Sequence, residues 1–211
     1  AAMTEASQRP LTTTPKNLIE AITGSDRVLW IAAIFKEISG LKRKVVWEEV
    51  LRSEVPAGVS VVPSQLCFSV KSDGTRKCRW VARGDLMKEG EHYIASRSSM
   101  AAIETVRMQV SLAAASGWKI YSMDVCQAFT AAPCDSDDLY LELPEIPEEF
   151  EGSAEWGHGS QRRRGGKYVA HMKRNIYGLV QAGRVWQQYL MTWLIDTLHA
   201  RIYMNDRCAF E

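Results

Sequence analysis

Asp124 lies inside an extended, largely apolar run, Lys119–Val125, and an aromatic ring, Phe129, follows it five residues later. Period-two alternation puts Tyr121, Met123 and Val125 on one face of that run and Ile120, Ser122 and Asp124 on the other. With the apolar face packed on a neighbouring element, Asp124 points away from the core. A carboxylate held by a rigid strand can bind a hard cation through oxygen. A solvated strand or turn residue is the commoner meaning of a lone aspartate. A second group is cationic: Lys77, Arg79 and Arg83 share one face of Arg76–Arg83, opposite Cys78, Trp80 and Ala82. Such a face is either simply solvated or holds an anion against a sheet. Asp135, Asp137 and Asp138 crowd a third place, yet lack the glycine and terminal glutamate of a calcium loop and fit a solvated turn. The run Gln161-Arg162-Arg163-Arg164 offers solvated charge or phosphate contacts. His158 and His171 have no partners at metal-ligand spacing.

The elements that must position these residues read as follows. Residues 1–27 form a linker-like lead-in with a short helix around Leu18–Ile22. A helix starts at Arg27, with Leu29, Ala32, Ala33, Ile34 and Ile38 at helical spacing, and Gly40 is placed to stop it. Trp30 and Trp47 are core residues. Leu66, Phe68 and Val70 alternate with polar neighbours, and Asp73-Gly74 then joins that strand to Arg76–Arg83 as a hairpin. Ser98 or Ser99 caps a helix running to Ser116, with Ile103, Val106, Val110 and Ala113 or Ala114 as its buried stripe and Gly117 as its left-handed stop. Leu139–Leu143 is a strand expected to pair with the Asp124 run. Residues 144–166 form a long loop, Lys167–Met172 a strand, and an amphipathic helix starts near Gly183. Its stripe is Trp186, Tyr189, Leu190, Trp193, Leu194 and Leu198. Gln181 stands just before that helix. Tyr203–Phe210 begins another extended segment. The fold class is therefore α+β.

The 211 residues suffice for one large domain or two small ones with a real core. A formal net charge of +1 excludes a chain that binds polyanions through overall charge, so any nucleic-acid contact must be local. The five cysteines show no Cys-x-x-Cys pair, which argues against a disulfide framework or a zinc site and for a reducing compartment. No apolar run reaches membrane-spanning length and no secretory signal is visible.

Three segments fall together. WVARGDL at Trp80–Leu86, DVCQAF at Asp124–Phe129 and IYGLVQAGRVW at Ile176–Trp186 resemble, in order and spacing, the reverse transcriptase of copia-type LTR retrotransposons. DRCAF at Asp206–Phe210 is similar to the family's Asp-x-Cys-x-Phe segment. Smaller echoes are Trp47, LCFSVKSDG, HYIASRSS and LYLELPE. The resemblance spans residues 28–211.

The resemblance implies the fingers and palm of a right-hand polymerase and phosphoryl transfer from a deoxynucleoside triphosphate to a primer 3′ hydroxyl with two Mg2+ ions. It makes Asp124 the first metal-binding carboxylate, with the Val125 carbonyl as a further ligand. Backbone N–H groups of Gln127 and Ala128 would face the triphosphate. Phe129 would be a steric gate against a 2′ hydroxyl. Lys77 and Arg79, with Lys71 in reserve, would fold over the phosphates, and Gln181 would touch the incoming nucleotide. Arg83 and Arg162–Arg164 would serve nucleic acid. The implied partners are an RNA or DNA template-primer and the remaining palm, thumb and RNase H regions of one polyprotein. The implied setting is intracellular, in a cytoplasmic virus-like particle or the nucleus. The sequence departs from the family at Val180, at Gly183 and at Thr130-Ala131-Ala132. The aromatic-x-Asp-Asp hairpin that carries the other metal carboxylates should follow DRCAF and is absent. The expectation is a fragment that does not polymerise alone. The rival expectations are a non-catalytic nucleic-acid-binding remnant and an inert α+β fragment with an unpaired, aggregation-prone sheet edge.

Overall fold

The computed structural model describes residues 14–150, 156, 166–203 and 206–211. Among the described residues, four helices, α1 (Leu18–Thr23), α2 (Arg27–Arg43), α3 (Ile103–Ser116) and α4 (Ala182–Leu198), accompany two sheets. The larger sheet has the order β1-β6-β5-β2, built from β1 (Trp47–Leu51), β2 (Val61–Val62), β5 (Tyr140–Leu141) and β6 (Tyr168–Met172). β6 is antiparallel to both β1 and β5, and β5 is parallel to β2. The smaller sheet is the antiparallel hairpin of β3 (Ser64–Val70) and β4 (Arg76–Ala82). No helix among the described residues is long and apolar enough to cross a membrane.

The hairpin forms where sequence chemistry requires it. Gly74 sits at φ +81°, the Asp73 carboxylate accepts from the Thr75 N–H at 2.8 Å, and the register runs from Ser64 opposite Ala82 to Val70 opposite Arg76. Cys78, Trp80 and Ala82 are buried, and Lys77 and Arg79 lie on the opposite face as the alternation requires. α2 lies across β4 and buries Trp30, Ala33, Ile34, Ile38 and Leu41. The core is aromatic at its centre. Trp80 meets Trp47 edge-on at 4.9 Å and Trp30 meets Phe68 at 5.4 Å. Trp80 also donates its indole N–H to Ser64 Oγ at 2.7 Å, which satisfies the one polar atom that its ring buries. α1 falls in the stretch expected as a lead-in, and its Leu18 and Ala21 join this core.

Several expectations are corrected. α2 runs through Gly40 to Arg43, because burial of Ile38 and Leu41 on either side outweighs the roughly 1 kcal/mol that glycine costs a helix. Neither Ser98 nor Ser99 caps α3. Its N-cap is Ala102, whose N–H donates to the Asp206 carboxylate at 2.9 Å. Ala113 is the only buried residue of α3; Ile103, Val106 and Val110 are exposed. The run 119–125 is not a strand. It has no regular secondary structure and is exposed, up to 80% at Tyr121 and 95% at Met123. A strand needs a ladder partner, and the expected one is taken: β5 already has β2 on one edge and β6 on the other. α4 buries Ala182 and Val185 in its first turns, while Tyr189, Trp193 and Leu198 of the expected stripe are exposed. Gly117 does end α3 in the left-handed region, at φ 66°.

Candidate functional site

A cleft of about 700 Å³ opens between α2, the tip of the β3–β4 hairpin and the turn that carries residues 124–129. The hairpin contributes Lys71, Lys77 and Arg79 to its wall, and the turn contributes Asp124, Val125, Cys126, Gln127, Ala128 and Phe129. Two groups 45 or more residues apart in sequence are thus brought to one cavity. α2 lines the third side with Lys36, Glu37, Gly40, Arg43 and Lys44, and Tyr177 completes it.

The turn is built by local backbone chemistry. Gln127 takes a left-handed conformation (φ 52°, ψ 49°) and begins a 3-10 turn over Ala128–Ala131. Thr130 holds the turn closed: its N–H and its hydroxyl both donate to the Gln127 carbonyl, at 3.0 and 2.8 Å. Lys44 donates to Thr130 Oγ1 at 3.0 Å, which ties the turn to the end of α2. Arg174 donates to the Ala131 carbonyl at 2.9 Å and anchors it from the β6 side. Phe129 meets Tyr177 edge-on, with ring centroids 5.1 Å apart.

The electrostatics of the cleft are cationic. Six cations, Lys36, Arg43, Lys44, Lys71, Lys77 and Arg79, line it against Glu37 and Asp124, and its seventh, Arg76, is bound to Asp26. Glu37 accepts from the Trp80 N–H at 3.3 Å. Burial pushes the Glu37 carboxyl above its ordinary range, opposed by the Trp80 hydrogen bond and by the charges of Arg79, Lys77 and Lys44. Burial pushes the Cys78 thiol far up as well, with the neighbouring Glu37 charge adding to it, so Cys78 is no thiolate nucleophile. A concave wall of cations is suited to a polyanion such as a triphosphate.

Lys77, Arg79, Asp124, Val125, Gln127, Ala128 and Phe129 therefore meet as the sequence suggested. Arg83 does not join them: its Nε and Nη2 donate to the two carboxylate oxygens of Asp85, at 2.8 and 2.7 Å. Gln181 does not line the cleft either. Its side chain is 0% exposed and neither amide atom has a hydrogen-bond partner among the described residues. Arg162–Arg164 and His158 lie outside the described residues. Sequence reading missed the α2 residues and Tyr177. The signal for the former was a polar stripe, Lys36, Gly40 and Arg43, at helical spacing opposite the buried one.

A family model described as reverse transcriptase (RNA-dependent DNA polymerase) matches residues 46–206, three quarters of the chain. The chain belongs to that reverse transcriptase family. Its curated relatives include the Transposon Ty1-DR4 and Transposon TyH3 Gag-Pol polyproteins of Saccharomyces cerevisiae, each 26% identical over 97% of this chain. These relatives place the chain with the copia-type retrotransposon reverse transcriptases. The chain spans 12% and 11% of the two relatives' lengths. No solved structure gives a significant match. The family match covers the hairpin, the Asp124–Phe129 turn and Tyr177, so every wall of the cleft except the α2 wall belongs to the reverse transcriptase segment.

Proposed function

We propose that this chain is the fingers and N-terminal palm portion of a copia-type reverse transcriptase, and that the cleft receives the incoming deoxynucleoside triphosphate. One observation carries the reading: Lys77 and Arg79 of the hairpin and the Asp124–Phe129 turn line a single cationic cavity. In this reading Lys77 and Arg79 neutralise phosphate oxygens, with Lys71 beside them. The Gln127 and Ala128 N–H groups face the phosphates, where the left-handed Gln127 opens the turn. Phe129 lies under the sugar and leaves no room for a 2′ hydroxyl. Asp124 and the Val125 carbonyl offer oxygen ligands to Mg2+. When bound, two such ions would stabilise the attacking and leaving oxygens of the transfer. The residues present do not fit both ions: among the described residues no three His, Cys, Asp or Glu side chains come together. The remaining carboxylates are assigned to further palm residues of a longer polyprotein, as in the Gag-Pol relatives, along with the thumb, the RNase H region and the template-primer. Gln181 is left out of the contact set because its amide is enclosed.

The test is an NMR titration of the 211-residue chain with dATP. Amide shifts confined to Lys77, Arg79 and residues 124–129 are expected. The double variant Lys77→Ala/Arg79→Ala should weaken binding by about tenfold or more, the scale of two lost charge-assisted contacts. Shifts elsewhere, or affinity unchanged in the double variant, would overturn the reading. Primer extension by this chain alone is expected to be absent.

A further inference from the structure

Tyr177 belongs to no catalytic group named so far, yet it touches two of them. The Arg79 guanidinium carbon stands 4.8 Å from the centre of the Tyr177 ring, in cation–π geometry. The Phe129 ring meets the same ring at 5.1 Å with the planes 68° apart. One aromatic side chain thus joins the residue read as a phosphate ligand to the residue read as the sugar gate.

Tyr177 is itself held by backbone. Its carbonyl accepts from the N–H of Ala82, the last residue of the strand that carries Arg79, at 2.9 Å. The next residue, Gly178, sits at φ +87°, and a Cβ there would fall 2.1 Å from the Ala82 carbonyl oxygen. A Cβ on Gly84 would fall equally close to the Gly178 carbonyl oxygen, so this loop is clamped against the end of β4 from both sides. The ring has a fixed origin and two partners in contact with it.

We propose that Tyr177 is a positioning residue that sets sugar selectivity. It fixes the Phe129 ring so that it cannot retreat from a 2′ hydroxyl, and it holds Arg79 over the phosphates of the same nucleotide. The inference rests on the nucleotide reading of the cleft given above. A gate works only if moving it is costly, because a ring free to rotate would admit a ribose with little penalty. The edge-to-face contact supplies that resistance, and the Arg79 contact couples it to the position of the triphosphate.

The experiment compares dATP and ATP binding to the 211-residue chain by NMR titration, read as the ratio of the two dissociation constants. Tyr177→Ala is expected to lower the preference for dATP about fivefold or more and to weaken dATP binding severalfold, the scale of one aromatic and one cation–π contact. Tyr177→Phe keeps the ring and is expected to restore both. Phe129→Ala, which removes the gate ring itself, should lose the preference. If Tyr177→Ala does not fold, judged by its amide dispersion, Tyr177→Leu keeps the volume without the ring and carries the same expectation. Preference intact in Tyr177→Ala or Tyr177→Leu but lost in Phe129→Ala overturns the inference and leaves the nucleotide reading standing. No dATP response at the cleft in the unsubstituted chain overturns both.

Discussion

The hairpin half of the molecule and the α3 half both carry apolar-rich sequences and meet opposite fates. In β3, β4 and α2 the apolar face is buried down to 0% exposure at Trp80 and Ile34. In α3 and residues 118–125 the apolar residues stand in solvent: Trp118 and Ile120 at 64%, with Val106, Val110 and Val125 exposed beside them. Both stretches alternate in the manner of core elements. Periodicity states which side of an element is apolar, but burial also needs a second element in reach. β4 has β3 beside it and α2 above it. The residues before Asp124 have no strand on either edge among those described. The cleft lies at the boundary, with its hairpin wall packed from behind and its Asp124 wall held mainly through the Thr130 turn.

The sharpest way to break this comparison is to delete equivalent bulk from each half. Trp80→Ala removes a fully buried indole together with its Trp47 contact and its Ser64 hydrogen bond, and should cost about 3–5 kcal/mol in urea unfolding. Val110→Ala removes an exposed side chain and should change stability by less than about 0.5 kcal/mol. A loss of about 2 kcal/mol or more from Val110→Ala would mean that α3 is covered in solution and that the two halves do not differ.

A smaller effect of opposite sign is expected at Gln181. Its amide is fully enclosed at the start of α4 and unpaired among the described residues. A buried amide without partners costs roughly 1–3 kcal/mol. Gln181→Met keeps the length of the side chain without the polar atoms, and should raise stability by about 1 kcal/mol in the same unfolding measurement. A loss of stability instead would show that the amide finds a partner in solution, and would return Gln181 to the set of residues that could reach a nucleotide.

What was legible in the sequence follows the same division. The β3–β4 hairpin was legible because its information is local: a strand alternation, an Asp-Gly turn and a return strand. The placing of Lys77 and Arg79 on one face came with it. Asp124 and Phe129 were legible through the family resemblance, since alternation alone left Asp124 a surface carboxylate. The strand around Asp124 and its pairing with Leu139–Leu143 were misread because pairing is decided by competition: β2 and β6, distant in sequence, occupy both edges of β5. For Lys36 and Arg43 the sequence holds only a polar helical stripe, and for Lys44 and Tyr177 no signal, because only the packing of α2 on β4, and of the Tyr177 loop on Ala82, brings them to the cleft. Gly40 was read as a stop on propensity, and the core beneath it overrode that preference.

The subtlest prediction sets one acid in each half against the other. Glu37 belongs to the packed half, and burial raises its carboxyl above the ordinary 4.5. The folded chain therefore holds this proton more tightly than the unfolded chain. The stability it contributes is complete below 4.5 and is lost as the pH rises through the folded value. Asp206 anchors the exposed half. Hydrogen bonds from the Cys208 and Ala102 N–H groups, then from the Thr105 hydroxyl, hold it below the ordinary 3.8. Its contribution is present above 3.8 and is lost as the pH falls through the folded value. Acidification should thus strengthen one half and loosen the other. Glu37→Gln should remove part of the fall in stability between pH 4.5 and neutrality, giving a flatter profile that lies above the unsubstituted chain at pH 7. Asp206→Asn should lower stability by a constant amount above 3.8, leaving the slope between 4.5 and 7 unchanged, and should remove the acid-side fall below 3.8; hydrogen exchange at the Ala102 and Thr105 amides reports the start of α3. If Glu37→Gln leaves the slope between 4.5 and 7 untouched, then the carboxyl is solvated, and the wall it shares with Arg79 and Lys77 is as open to water as the Asp124 side.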